Sequence, residues 1–218
     1  MQELYNTSAA QEVSQQQVSK VLRNTYALLA MTIAFSAVTA LISMAINMPY
    51  MGLWMLLPHF LCVWMVEKNK NSAAGLFWAF ALTGWLGFTL GPILNHYIGL
   101  SGVEPILTAL GGTALIFFGL SAYVLITRKD LSFMTGFLMT GILVAFVAMI
   151  ANAFLGIAGL GLAISCMFLL LSSGLIMWQT SQIIHGGETN YISATVGLYV
   201  MIYNLFTILL SFLGGSSD

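Results

Sequence analysis

Gln179 and Gln182 stand three residues apart in an otherwise apolar run, Asn204 interrupts another, and His59 follows Pro58 inside a third. Amides and imidazoles in such surroundings can gate water or relay a proton, and an ionisable group at membrane depth is a functional hypothesis by default. The same groups also glue helices together, each interhelical amide bond being worth less than about 1 kcal/mol. Structural glue is the expectation for Gln179, Gln182, Asn204 and Asn152, and a satisfied structural imidazole for His59. A polar, water-touched pathway between the last two apolar runs is the alternative. His185-Gly186-Gly187-Glu188 reads as a tight turn, with Glu188 favourable at the N-terminus of the helix that follows. A pH switch between His185 and a carboxylate is the sharper alternative there.

No catalytic constellation joins these residues. HExxH, GxSxG and Walker patterns do not occur in the sequence, and intramembrane hydrolysis would need a Ser–His pair, two Asp or zinc ligands at membrane depth. No Asp falls inside an apolar run, and Cys62 and Cys166 lie far apart in apolar surroundings. That spacing excludes a disulfide scaffold and a thiolate zinc site. The chain is not expected to be an enzyme or to carry a metal or cofactor. Six Lys+Arg against seven Asp+Glu give a net charge of −1, so no basic field exists to hold nucleic acid.

The elements that position the polar residues follow from composition. Of 218 residues 59% are hydrophobic and 6% charged, where soluble domains carry roughly 25% charged residues. The lipid bilayer is therefore the expected partner, and the expected fold is all-α: a polytopic seven-helix transmembrane bundle. The charge-free stretch from Asn24 to Val66 has 43 residues, enough for two spans, and that from Leu131 to Gly187 has 57, too long for one. A span needs about 20 residues. Gly156, Gly159 and Gly161 supply the break in the longer stretch. Spans are expected at about 25–47, 50–66, 73–93, 105–126, 132–153, 160–181 and 190–213. Gly91-Pro92 is expected to end the third, with a cavity-lining break as the alternative. Gly84, Gly87 and Gly91 should let a neighbour approach closely.

Seven crossings put all six basic residues on one side: Lys20, Arg23, Lys68, Lys70, Arg128 and Lys129. Positive residues stay cytoplasmic. The N-terminus is therefore expected inside and the C-terminus outside. Residues 1–24 read as a flexible cytosolic tail rather than a cleaved signal peptide, 25–213 as the membrane domain and 214–218 as a short C-terminal tail.

Four strings carry a resemblance. KVLRNTYALLAMTIAFSA, GPILNHY, ALGGTALIFFGLSAYVLITRKDLSF and IIHGGETNYISATVGLYVMIYNLF are similar to the Bax inhibitor-1 family, and in particular to its bacterial branch. The likeness runs from about Lys20 to Leu213. It implies seven helices with the last one central, in a bacterial inner (plasma) membrane. It also implies two activities. One is a calcium leak controlled by an acidic pair between the sixth and seventh helices. The other is binding to, and restraint of, a membrane-anchored AAA protease, for which the flexible tail would be the segment offered to the machine. The family's first acid falls at Gln179 in Trp178-Gln179-Thr180, its second at Met201 in Leu198-Tyr199-Val200-Met201, and a further one at Asn190 in Asn190-Tyr191-Ile192. Gln179 does not titrate and Met201 offers no oxygen, whereas calcium takes six to eight oxygens. The resemblance therefore implies a cation leak with altered or lost pH sensing, and favours the protease reading over it. A solute transporter, which would show an inverted repeat, ranks last.

Overall fold

The computed structural model describes residues 2–157 and 159–215, with side chains from Gln15 onward apart from positions 53 and 153. Its described residues form seven α-helices and no strand: α1 Gln2–Ala45, α2 Leu56–Asn69, α3 Ala73–Ser101, α4 Glu104–Thr127, α5 Met134–Leu155, α6 Leu160–Ile184 and α7 Tyr191–Gly214. A 3-10 turn, Gly52–Met55, leads into α2. Six of these helices are long and apolar enough to cross a membrane. The fifth and sixth expected spans are separated where expected: α5 ends at Gly156, φ 58°, and α6 begins after Gly159, φ 81°. Both are left-handed positions that glycine adopts without strain.

Three boundaries differ from the sequence expectation. α1 is already helical at Lys20 and Arg23, because no Gly or Pro between Gln15 and Asn24 interrupts it. The expected tail thus overlaps the first helix, and its remainder, residues 1–14, has side chains outside those described. α2 has only 14 residues, about 21 Å of helix, since the chain leaving α1 spends residues 46–55 in a turn and a 3-10 segment. α3 runs through Gly91-Pro92 to Ser101. Pro92 removes one hydrogen bond, but packing on α1 holds the helix together across it. Asn95 Nδ2, one residue beyond Leu94, donates to the Met44 carbonyl at 3.1 Å.

The α1–α3 contact is built on missing side chains. A Cβ at Gly84 would meet Phe35, one at Gly87 the Ser36 carbonyl and Thr39, and one at Gly91 Ser43. Lipid gives apolar helices no reason to associate beyond close packing, so such small-residue faces are what bring backbones together. Here the stripe is used within the chain.

α7 packs against α1, α2, α3, α4 and α6, and Leu198, Leu205 and Leu210 along it are fully buried. α5 rests on α6 through Leu138, Ala145 and Leu171. Long-range hydrogen bonds sort the helix ends. At one end Asn190 Nδ2 reaches the Lys70 carbonyl at 2.9 Å, His185 Nε2 the Arg128 carbonyl at 3.1 Å, and Thr195 Oγ1 the Thr25 carbonyl at 3.2 Å. At the other, Asn95 holds Met44 and Ser101 Oγ donates to the Gly214 carbonyl at 3.0 Å. The basic clusters therefore gather at a single end of the bundle.

Candidate functional site

α6, α7 and the turn between them carry Gln179, His185, Glu188, Asn190, Met201 and Asn204, whereas His59 lies on α2, and their basic end is the most elaborated polar region among the described residues. Asn190 is its joint. Its Oδ1 accepts from the backbone N–H of Ile192 at 2.9 Å and of Ser193 at 3.2 Å, capping α7. Its Nδ2 donates to the Lys70 carbonyl at 2.9 Å and to Asn71 Oδ1 at 2.8 Å. Its own N–H donates to Glu188 Oε1 at 2.8 Å. An aspartate could cap the helix equally well but has no protons for Lys70 and Asn71. Asn190→Asp is accordingly expected to keep the cap and lose the tie to the α2–α3 turn, at a cost of about 1–3 kcal/mol. A lower thermal midpoint with faster amide exchange at residues 67–72 is the expected reading; an unchanged midpoint contradicts it.

Glu67 adds a second tie. Its carboxylate accepts from Ser193 Oγ on α7 and from Lys70 Nζ, the latter at 2.9 Å. Burial raises this carboxyl, but the hydrogen bonds from Ser193 and Lys70 and the charge of Lys70 outweigh it and hold the group below the usual carboxylate range. A group held low in the folded state contributes stability above its unfolded value and loses it as pH falls through the lower folded value. Thermal stability should therefore be flat from about pH 6 to 8 and fall below about pH 4.5. Glu67→Gln should remove part of that fall, and a variant with the wild-type acid limb would contradict the assignment.

The C-terminus of α6 clasps the α4–α5 loop. Ser181 Oγ accepts from the Leu131 N–H at 2.9 Å and donates to the Lys129 carbonyl at 3.1 Å. His185 Nδ1 lies 2.9 Å from the Ser181 carbonyl and Nε2 3.1 Å from the Arg128 carbonyl. Carbonyl oxygens only accept, so both contacts are hydrogen bonds when the ring carries both protons, and one of them when it is neutral. His185 is thus bonded to backbone rather than to Glu188, which turns away to Asn190 after Gly186, φ 77°. Asp130 is the carboxylate whose field reaches the ring. Hydrogen bonds from the Ser132 hydroxyl and N–H, with a smaller contribution from His185, hold it below its ordinary value.

Deeper in the bundle, Gln179 is buried, and its amide lies against Gly197 of α7, where an added Cβ would sit 3.6 Å from Oε1. Met201, also buried, is one turn further along α7 on the same face as Gly197. Nearby on α6 and α7, Ile176, Thr180, Ile183 and Leu198 are inaccessible, while Gln179 and Met201 keep 7% and 9% of their surface exposed. Asn204 and His59 do not join this seam. Asn204 is half-buried on α7. His59 stacks edge-on against Phe60 on α2, with a buried Nδ1 that has no hydrogen-bond partner. The satisfied imidazole expected there is not what the structure shows.

A buried hydroxyl network on the α1–α3–α7 side is not anticipated by the sequence reading. Tyr199 OH donates to the Thr83 carbonyl at 3.2 Å and pairs with Ser36 Oγ; Tyr203 OH meets Thr89 Oγ1 at 3.1 Å. The available signal was the spacing of the two tyrosines, four apart on one face of α7.

Fold and site together define a polytopic helical membrane protein with a neutral seam between its last two helices and a polar clasp at its basic end. Residues 18–218 match the family described as inhibitor of apoptosis-promoting Bax1, and the chain belongs to this Bax inhibitor-1 family. It is 54% identical over 199 residues to the modulator of FtsH protease YccA of Escherichia coli, covering 91% of each chain. It is 54% identical over 202 residues to an uncharacterised Pseudomonas aeruginosa protein, covering 92% of this chain and 91% of that one. A Vibrio cholerae membrane protein is 46% identical over 201 residues, with 91% and 90% covered.

Proposed function

We propose that the chain is an inner-membrane regulator that binds a membrane-anchored AAA protease of the FtsH type and restrains it, acting by association rather than by catalysis. The observation that carries this reading is the 54% identity, over nine-tenths of both chains, to a protein named for modulating that protease. The buried, carboxylate-free seam around Gln179 supports a regulator over a conduit. A calcium pathway at this seam would have to rest on Gln179 and Met201, one neutral oxygen and none, and no observation favours it.

In this reading the chain crosses the bilayer seven times around α7. α2, which is not among the six span-length helices, supplies the seventh crossing together with the residues that precede it. Asn47 Oδ1 lies near Asn95 at the far end, Trp85 Nε1 donates to the Met55 carbonyl at 3.0 Å partway along α3, and Lys70 meets Asn190 at the basic end. Residues 47–70 thus traverse the length of the bundle, and Trp54, Leu57, Phe60 and Trp64 face outward, where lipid would cover them. The basic end is cytoplasmic and the C-terminal end periplasmic. Residues 1–19 are the segment presented to the protease.

Affinity purification of the full chain from native membranes tests the reading. The protease should co-purify, and deleting residues 1–19 should weaken restraint of membrane-substrate degradation. Isolation free of the protease under conditions that preserve its hexamer would count against it. A reporter fused after Gly214 should report the periplasm; cytoplasmic signal there would remove one crossing.

A further inference from the structure

We infer that the groove between the outer halves of α1 and α4 is a binding site for one acyl chain of an aminophospholipid from the periplasmic leaflet. This rests on the chain's being a membrane protein with its basic end inside; it does not depend on a protease partner. The groove encloses about 580 Å³ and is walled by α1 and α4 and floored by α3 and α7. It begins at Phe117, where that ring meets Tyr26 of α1 at a centroid distance of 6.1 Å, and runs outward to Val103. Those ends are about 20 Å apart along the helix, slightly more than one leaflet of a hydrocarbon core about 30 Å thick.

Three observations choose the occupant. First, size: at about 580 Å³ the groove falls within the roughly 300–1,000 Å³ of cavities that hold one small ligand, enough for a single acyl chain. Second, the floor: the hydroxyls it exposes are spent within the protein. Tyr199 is bonded to Thr83 and Ser36, Tyr203 to Thr89, and Thr113 Oγ1 to the Ala109 carbonyl at 2.7 Å. The inner end therefore offers a ligand no free donor and suits a hydrocarbon tail. Third, the mouth: Val103 is followed by Glu104, and no Lys or Arg occurs between Asn71 and Thr127. A carboxylate without a competing cation complements an ammonium head group and repels an anionic one. The rim residues Ile33, Leu41, Leu110 and Phe118 are themselves exposed on the lipid-facing surfaces of α1 and α4, so the groove is continuous with the bilayer that would fill it.

Native mass spectrometry of the full chain, released from bilayers of equal phosphatidylethanolamine and phosphatidylglycerol, tests the site. One phospholipid per chain should be retained, with the ethanolamine lipid favoured several-fold. Ala37→Trp and Ala114→Trp, which fill the groove, should each reduce retention at least five-fold. Leu115→Trp, on the same helix but outside the groove, should not, and Glu104→Gln should abolish the head-group preference. In the unaltered chain, an ethanolamine lipid with a photoreactive acyl tail should label peptides spanning 33–44 and 106–118 above those of α5. Retention unaffected by both filling variants, labelling as strong on α5 as in the groove, or cross-linking of the groove to another protein's transmembrane helix would each overturn the assignment.

Discussion

Leucine at position 87 should unseat α1 from α3 and leave little folded protein. Gly87 faces the Ser36 carbonyl, which is backbone, so a Cβ there cannot be accommodated by a rotamer change. α1 must move, and with it Ser36 Oγ, the partner of Tyr199 on α7. Overpacking a well-packed core costs about 1–3 kcal/mol for small additions. Gly87→Ala should fall in that range and Gly87→Leu beyond it. Gly119 is the control: a Cβ there meets nothing, and alanine should be neutral or stabilising by up to about 1 kcal/mol through helix propensity. Thermal unfolding in detergent reads all three. Equal midpoints for the alanine variants at 87 and 119 would show that the α1–α3 seam is loose.

An acidic pair introduced by Gln179→Asp with Met201→Asp should create a pH dependence between about pH 5 and 8 that the native protein lacks over that interval. Both positions are buried, and an ionised carboxylate is costly to remove from water, the more so beside a second one. Protonation removes that cost. The double variant should therefore be more stable near pH 5 than near pH 8, by about 3 kcal/mol or more, whereas the native chain should change little over that interval. A double variant equally stable at both values would mean that water already reaches the seam, and would weaken the case against a conduit.

Much of the architecture was legible because charge is expensive in lipid. The gaps between charged residues located the helices, and Gly156 and Gly159 located the break in the longest gap. What composition could not reveal were features set by neighbours far away in the chain. α3 continues past Pro92 because α1 lies against Gly84, Gly87 and Gly91, a partnership no local signal encodes. α2 is short because residues 46–55 are used in turning. At the site, Asn190 was legible as the position of a missing acid, yet its work in the structure requires an amide: it accepts two N–H groups of α7 and donates to the α2–α3 turn. His185 and Glu188 were adjacent enough to read as a pair, but the left-handed Gly186 sends them to different partners. The Tyr199–Ser36 bond joins residues 163 apart in the chain, beyond the reach of any spacing rule.

The proposed restraint is measured by the rate at which a purified FtsH-type protease degrades a membrane substrate in proteoliposomes, with and without this chain at stoichiometric amounts. A several-fold slowing that requires residues 1–19 and survives Gln179→Ala is the expected result if the chain restrains the protease by association rather than through a pathway in the seam. Degradation at an unchanged rate, with the folded chain confirmed in the same vesicles, would contradict it.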